Sequence, residues 1–254
     1  MVGGIDVRMK RYEAVSDVVL MRRTPVILRF DGSHFHTYTR GFEKPFDNVM
    51  IETMQRTMEA LCNDIQGAVF GYTQSDEITI VLCDYKTLET SAWFDNRLEK
   101  LCSVGASKAS RYFNKFFIEV TEKAYKNKEI TDKMYEKYKS RYFAADFDCR
   151  AFNIPKEEVC NCVIWRQNDA EKNSIQSLAQ SLYSHNELKG LKCNQLQNKM
   201  FTEKGVNWSE LPTYCKRGSA CIKNENGKWF IDYDMPILKE NRDYIEKFVY
   251  CEEE

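Results

Sequence analysis

Two β-rich runs, Ala68-Val69-Phe70-Gly71-Tyr72 and Glu77-Ile78-Thr79-Ile80-Val81-Leu82, stand on either side of a short polar turn, Thr73-Gln74-Ser75-Asp76. Such runs around so short a connection leave the chain little choice but a β-hairpin. What flanks the hairpin narrows the fold further. Before it come the β-rich run Pro25-Val26-Ile27-Leu28-Arg29-Phe30, stopped by Asp31-Gly32, and a helical stretch from about Asp47 to about Ile65. Asp47 suits an N-cap, Ile51, Met54, Met58, Leu61 and Ile65 recur at spacings of three and four, and Gly67 ends the helix. After the hairpin a second long helix is predicted over about Thr90 to Phe117, then a charged stretch from Glu119 to Asp146, then a strand from Phe147 to Ile154. The order strand, helix, hairpin, helix, strand is that of a ferredoxin-like βαββαβ unit. It is an α+β fold whose sheet is covered on one face by its two helices.

The charged stretch 119–146 reads as a solvated insertion. Pro155 suits a helical first turn, Glu157 and Glu158 suit its positive dipole end, and the chain beyond is mainly helical. Short strands are expected near Ser219–Lys223 and Trp229–Tyr233. The division expected is 1–154 as the catalytic unit and 155–254 as a helical region packed on it, forming one compact body.

Composition removes several classes of function. No apolar run approaches the roughly 18 residues of a membrane helix, and the first residues lack the apolar core of a secretory signal. A cytoplasmic enzyme is the default, with an organelle left open. The ten cysteines include no CxxC, and only His34, His36 and His185 are available, which argues against a zinc site and for reduced thiols. The net charge of −1 does not advertise a nucleic-acid binder, so any polyanion must meet a local basic surface.

In a βαββαβ sheet the end of the first strand and the turn of the central hairpin lie side by side. Asp31 is at the former and Asp76 at the latter. With the Gly32 carbonyl they can hold magnesium through hard oxygen ligands, and two metals there can activate a hydroxyl and neutralise a leaving phosphate. Spacing alone leaves a second role open, in which each aspartate caps its turn.

The strings Arg29-Phe30-Asp31-Gly32-Ser33-His34-Phe35-His36, Phe42-Glu43-Lys44-Pro45 and Gly71-Tyr72-Thr73-Gln74-Ser75-Asp76-Glu77 resemble signatures of the tRNA(His) guanylyltransferase family. So do Phe147-Asp148-Cys149-Arg150, Trp165-Arg166-Gln167-Asn168-Asp169 and Glu210-Leu211-Pro212-Thr213-Tyr214, in the family's order. The resemblance implies a polymerase-like palm working in the 3′-to-5′ direction, with Asp31, Gly32 and Asp76 on the metals and Asp31 and Asp76 catalytic. It implies that Arg29, backbone amides of residues 31–36 (Gly32, Ser33, His34, Phe35 and His36 among them) and the Ser75-Asp76 turn cradle a nucleoside triphosphate. Lys44, Arg97, Lys100 and Ser107 would contact its phosphates. Glu77, starting a strand directly after Asp76, is expected to point to the other face. His34 and His36 are expected to orient the nucleotide or the loop rather than bind metal.

The chemistry implied is activation of a tRNA 5′-monophosphate by ATP, then attack by the 3′-hydroxyl of an incoming nucleotide. Members dedicated to tRNA(His) carry His-Ile-Asn-Asn-Leu-Tyr after the Trp-Arg-Gln string, whereas this chain reads Glu171-Lys172-Asn173-Ser174-Ile175-Gln176. Only Asn173 is retained. That departure favours the branch that restores 5′-truncated tRNAs by copying the opposite strand with any of the four nucleotides, GTP included. The resemblance also implies a homotetramer, and a tRNA surface that includes Lys189, Lys192, Lys199, Lys216, Arg217 and Lys223. Competing readings are the tRNA(His)-specific enzyme, a palm-type cyclase or conventional polymerase, and a noncatalytic tRNA-binding protein.

Overall fold

The computed structural model describes residues 4–250. Its helices are α1 (Ile5–Glu13), α2 (Phe35–Tyr38), α3 (Asn48–Asp64), α4 (Leu98–Lys126), α5 (Asp132–Lys139), α6 (Lys156–Leu182), α7 (His185–Leu188), α8 (Cys193–Lys204), α9 (Thr213–Arg217) and α10 (Asp243–Val249). The strands are β1 (Val26–Gly32), β2 (Ala68–Gln74), β3 (Glu77–Leu82), β4 (Phe147–Asn153), β5 (Ser219–Lys223) and β6 (Trp229–Asp232). They form one antiparallel sheet in the order β4-β1-β3-β2-β5-β6. The first four reproduce the expected ferredoxin-like unit, and the β5–β6 hairpin extends it at the β2 edge.

Alternation along β1 assigns its two faces. Val26, Leu28 and Phe30 point into a core shared with α3 and α4, and Ile27 points into a second core with Val159 and Val163 of α6. The sheet is therefore covered on both faces, not one. α6 and α10 supply the second layer, and the far half of α6 builds a third cluster with α8 through Leu178, Leu196 and Met200.

Asp47 caps α3 as expected: one carboxylate oxygen accepts from Met50 N at 2.9 Å. The other accepts from Glu43 N at 2.9 Å and from the Tyr138 hydroxyl at 2.7 Å. α3 lies so close to β2 that a Cβ on Gly71 would stand 2.4 Å from Cys62 Sγ, which is why a strand residue there has no side chain.

The second long helix differs from its expected bounds. Residues 84–97 are irregular, and Phe94, Asp95 and Asn96 have positive φ of 49°, 51° and 58°. α4 starts later, at Leu98, and continues to Lys126 because Phe113, Phe117, Val120 and Ala124 keep one buried stripe. α5 then folds back, so that the Tyr138 ring sits 4.8 Å from Phe42 and 5.8 Å from Phe117. The charged residues of 119–146 lie on outer faces, while its buried residues Val120, Ala124, Tyr138 and Ala145 belong to the main core.

Candidate active site

The sheet's functional edge is assembled by three backbone contacts. Gly32 N donates to the Asp76 carbonyl at 3.1 Å, tying the end of β1 to the hairpin turn. Ser33 N donates to the Asp146 carbonyl at 2.8 Å, tying it to the start of β4. His34 then adopts left-handed φ 58° and starts α2, which tucks Phe35 back over the strand end. A Cβ on Gly32 would stand 2.3 Å from the Phe35 ring, so any side chain there has to push the ring aside. Asp31, Gly32, Ser33, His34, Phe35, His36, Ser75 and Asp76 are thereby gathered as expected, while two of the cradle's amides, Gly32 and Ser33, are already spent on protein carbonyls.

The two aspartates differ in their surroundings. Asp31's carboxylate makes no hydrogen bond or ion pair among the described residues, and Asp76 has one polar side-chain contact, the Ser75 hydroxyl donating at 3.0 Å. Burial pushes the Asp76 carboxyl above its ordinary range and the charge of Asp31 adds to the rise, partly offset by Ser75. A divalent cation reverses both penalties at once. Two under-partnered carboxylates beside a strand-end carbonyl fit a hard cation of the magnesium type.

Glu77 is not on the other face. It stands opposite Asp31 in the β1–β3 register, and antiparallel partners share a face. Asp76 belongs to the turn rather than the strand, so strand alternation does not separate the two neighbours. Glu77's carboxylate is bound by Arg166 of α6 at 2.6 and 2.7 Å, both side chains nearly buried, and Arg166 also reaches Asp169 at 3.1 Å. The sequence reading missed Arg166; a buried arginine one position from a carboxylate pair is visible only once α6 is placed.

Beyond Asp76 opens a cavity of about 380 Å³. Lys44, His36, Ser75 and Asp76 stand on its polar side; Phe42 and Tyr214 are among its apolar walls. The segment that departs from the family pattern reaches it too, through Asn173 and Ser174. A space of this size with aromatic walls and one cation suits a nucleotide.

Two expected phosphate contacts, Arg97 and Lys100, are not in this neighbourhood. Arg97 is bridged to Val19, and Asn96 beside it accepts from Leu20 N at 2.9 Å. Met21 N donates to Asn153, which pairs with Val26, the far end of β1. Five strand residues at ~3.3 Å each put that end about 16 Å from Asp31. Arg97 is engaged there by Asp17 at 2.5 Å, Lys100 is exposed one turn on, and Ser107 is exposed further along α4. α4 starts at the far end and runs toward the functional edge, so its first residues are its most distant. Arg29 does belong near the site: it lies two residues from Asp31 on the same face, its guanidinium 5.5 Å from the Trp165 ring. In the C-terminal region Lys199 pairs with Glu203 at 2.8 Å, Arg217 with Glu171 at 3.1 Å, and Lys216 donates to the Ser209 carbonyl at 2.5 Å.

Among the described residues no helix is long and apolar enough to cross a membrane. The family model described as tRNAHis guanylyltransferase matches residues 6–155. The uncharacterized protein R259 of Acanthamoeba polyphaga mimivirus is 30% identical over 241 residues, covering 87% of this chain and 79% of that protein. A bacterial tRNA(His) guanylyltransferase-like protein solved in complex with ATP is 43% identical, with a TM-score of 0.86 over 98% of this chain and 100% of that one. A bacterial protein so described and solved with GTP is 40% identical, with a TM-score of 0.79 over 97% and 99%. With its palm-like α+β sheet and the carboxylate pair at that sheet's edge, the chain belongs to the tRNAHis guanylyltransferase family of nucleotidyltransferases.

Proposed function

We propose that this enzyme adds nucleotides in the 3′-to-5′ direction to the 5′ end of tRNA, copying the opposite strand and so repairing 5′-truncated molecules. A nonbridging oxygen of the RNA 5′-phosphate attacks the α-phosphorus of ATP, and pyrophosphate leaves. The 3′-hydroxyl of the incoming nucleoside triphosphate then attacks the activated 5′-phosphorus; AMP leaves and the hydroxyl proton passes to solvent. Magnesium, two ions in this reading, would be held by Asp31, Asp76 and the Gly32 carbonyl, supplying charge neutralisation and a more acidic hydroxyl. Lys44 and the Ser75-Asp76 turn hold the triphosphate, with the amides of His34, Phe35 and His36 left to donate to it. The ATP- and GTP-bound relatives support nucleotides of both kinds as substrates.

One observation carries the choice of templated repair over a dedicated tRNA(His) activity. A site that reads one base directly needs polar groups free to bond it. In segment 171–176 two such groups are engaged within the chain, Glu171 with Arg217 at 3.1 Å and Ser174 with Trp208 at 2.9 Å, and Asn173 donates to Asp169 at 3.4 Å. Base choice then falls to pairing with the opposite strand. A homotetramer in the cytoplasm completes the reading, and the exposed apolar residues Ile5, Val15, Val19 and Met21 near the N-terminus offer surface for assembly.

The test is a tRNA lacking its first nucleotide, carrying a labelled 5′-monophosphate, incubated with ATP, magnesium and one nucleotide at a time. One-nucleotide extension that disappears in Asp31→Ala and Asp76→Ala is expected. RNA bound but never extended would sink the assignment.

A further inference from the structure

We propose that Trp165 and the open β1–β4 strip beside it form the docking platform for the RNA 5′ end, with the terminal base pair stacked on the indole. Two reactants must meet across Asp31 and Asp76. The cavity lined by Lys44, His36 and Asp76 lies on one side of them and takes the nucleotide. The other approach is the sheet face that carries Asp31 and Arg29 of β1 and, in register with them, Asp148 and Arg150 of β4. α6 covers this face over Ile27 but leaves it open toward the functional edge, where the Asp148 and Arg150 side chains are 54% and 55% exposed.

Trp165 forms the wall of that opening. It is 54% exposed, whereas Trp93 and Trp229 are 8% and 7% exposed, so this indole presents much of its surface to solvent. Two guanidiniums lie against its ring, Arg166 at 4.6 Å and Arg29 at 5.5 Å. Arg166 is consumed by Glu77 and Asp169, whereas Arg29 makes no hydrogen bond or ion pair among the described residues. Arg150 has a loose contact with Asp148 at 3.9 Å. The strip thus holds two arginines and two aspartates; once Asp31 is occupied by metal, as the proposed function requires, the remainder favours an anion. An aromatic face flanked by the under-used Arg29 guanidinium, with Arg150 in register beside it on β4, is the chemistry of a nucleobase beside its phosphate. The inference rests on the proposed function for the identity of the polymer, and on the geometry of Trp165, Arg29 and Arg150 for where it lies.

The test uses the intact protein and a short RNA duplex with a 5′-monophosphate, without any nucleotide. Acrylamide quenching of tryptophan emission is compared in wild type and Trp165→Phe, the difference isolating Trp165. RNA should shield that component, Trp165→Ala should weaken RNA binding about tenfold, and Trp165→Phe should restore it to within about twofold. Circular dichroism and ATP binding measured without RNA identify an Ala variant that has lost its fold; the wild-type shielding measurement stands independently of it. RNA that binds without shielding Trp165, and binds Trp165→Ala equally well, overturns the platform and leaves the proposed function standing if nucleotides are still added. Shielding without any nucleotide addition supports the platform and removes the proposed function. No RNA binding removes both.

Discussion

The two ends of β1 use their charges in opposite ways. At the far end they are spent on one another: Arg22 with Asp84 at 2.6 Å and Arg97 with Asp17 at 2.5 Å. At the functional end Asp31 and Arg29 have no such partners among the described residues and Asp76 has a single hydroxyl, while Glu77 is paired with Arg166 and Asp148 only loosely with Arg150. Leaving charges under-partnered costs folding free energy, so an end that does so is held for a ligand. The Glu77–Arg166 pair shows how the cost is contained. It satisfies the carboxylate that stands opposite Asp31 on β3, and it ties the hairpin to α6.

Removing a charge therefore separates the two kinds of site. Asp31→Asn is expected to lower nucleotide addition on the order of a thousandfold, since several kcal/mol of metal electrostatics are worth about tenfold per 1.4 kcal/mol. Its melting temperature should be no lower than wild type's, because one of two repelling carboxylates is gone. A large loss of stability would mean that Asp31 is a structural group after all. Arg166→Met should do the reverse, lowering stability by about 3–5 kcal/mol in denaturant titrations by leaving Glu77 buried and alone. Burial already raises Glu77 and Arg166 opposes the rise. Without Arg166 the folded state should hold a proton that the unfolded chain releases, so the deficit narrows as the pH falls toward the unfolded carboxylate range and widens above it. A pH-independent deficit would contradict the pairing.

Smaller effects are expected at Gly32, Lys44 and Arg97. Gly32→Ala pushes against the Phe35 ring and should cost about 1–3 kcal/mol while displacing the strand-end carbonyl, so activity falls more than stability. Smallest should be Arg97→Ala, whose exposed pair with Asp17 lies far from the carboxylates and should leave the melting temperature within error. Lys44→Ala, by contrast, should raise the nucleotide KM by about tenfold. If Arg97→Ala raises it equally, the arginine serves a second chain's site, because about 16 Å separates it from Asp31 in its own.

The fold was legible where local signals and topology agreed. Asp47, the α3 stripe, the hairpin around Ser75-Asp76 and the β5–β6 pair all declared themselves, and the strand order placed Asp31 beside Asp76. Charge misled where it hid a period: Val120 and Ala124 continue the stripe of α4, but the Lys and Glu residues between them read as solvated chain. Facing was misjudged at Glu77 because alternation counts from the first strand residue, and Asp76 is not one. Distance along a helix was invisible for Arg97 and Lys100, whose residue types suit phosphate while their place is set by where α4 begins. Arg166 and Trp165 carried no local signal beyond their motif. Their roles depend on which strand residues α6 crosses.

Under the proposed function an RNA strand, not the protein, chooses the nucleotide added at the Asp31–Asp76 edge. The direct measurement pairs truncated tRNAs that differ only in the base opposite the missing position, each offered all four nucleotides in competition. With templated addition the added nucleotide switches to the Watson–Crick complement in every case, and Asp76→Asn abolishes all four additions. Guanylate added regardless of the opposite base would contradict it.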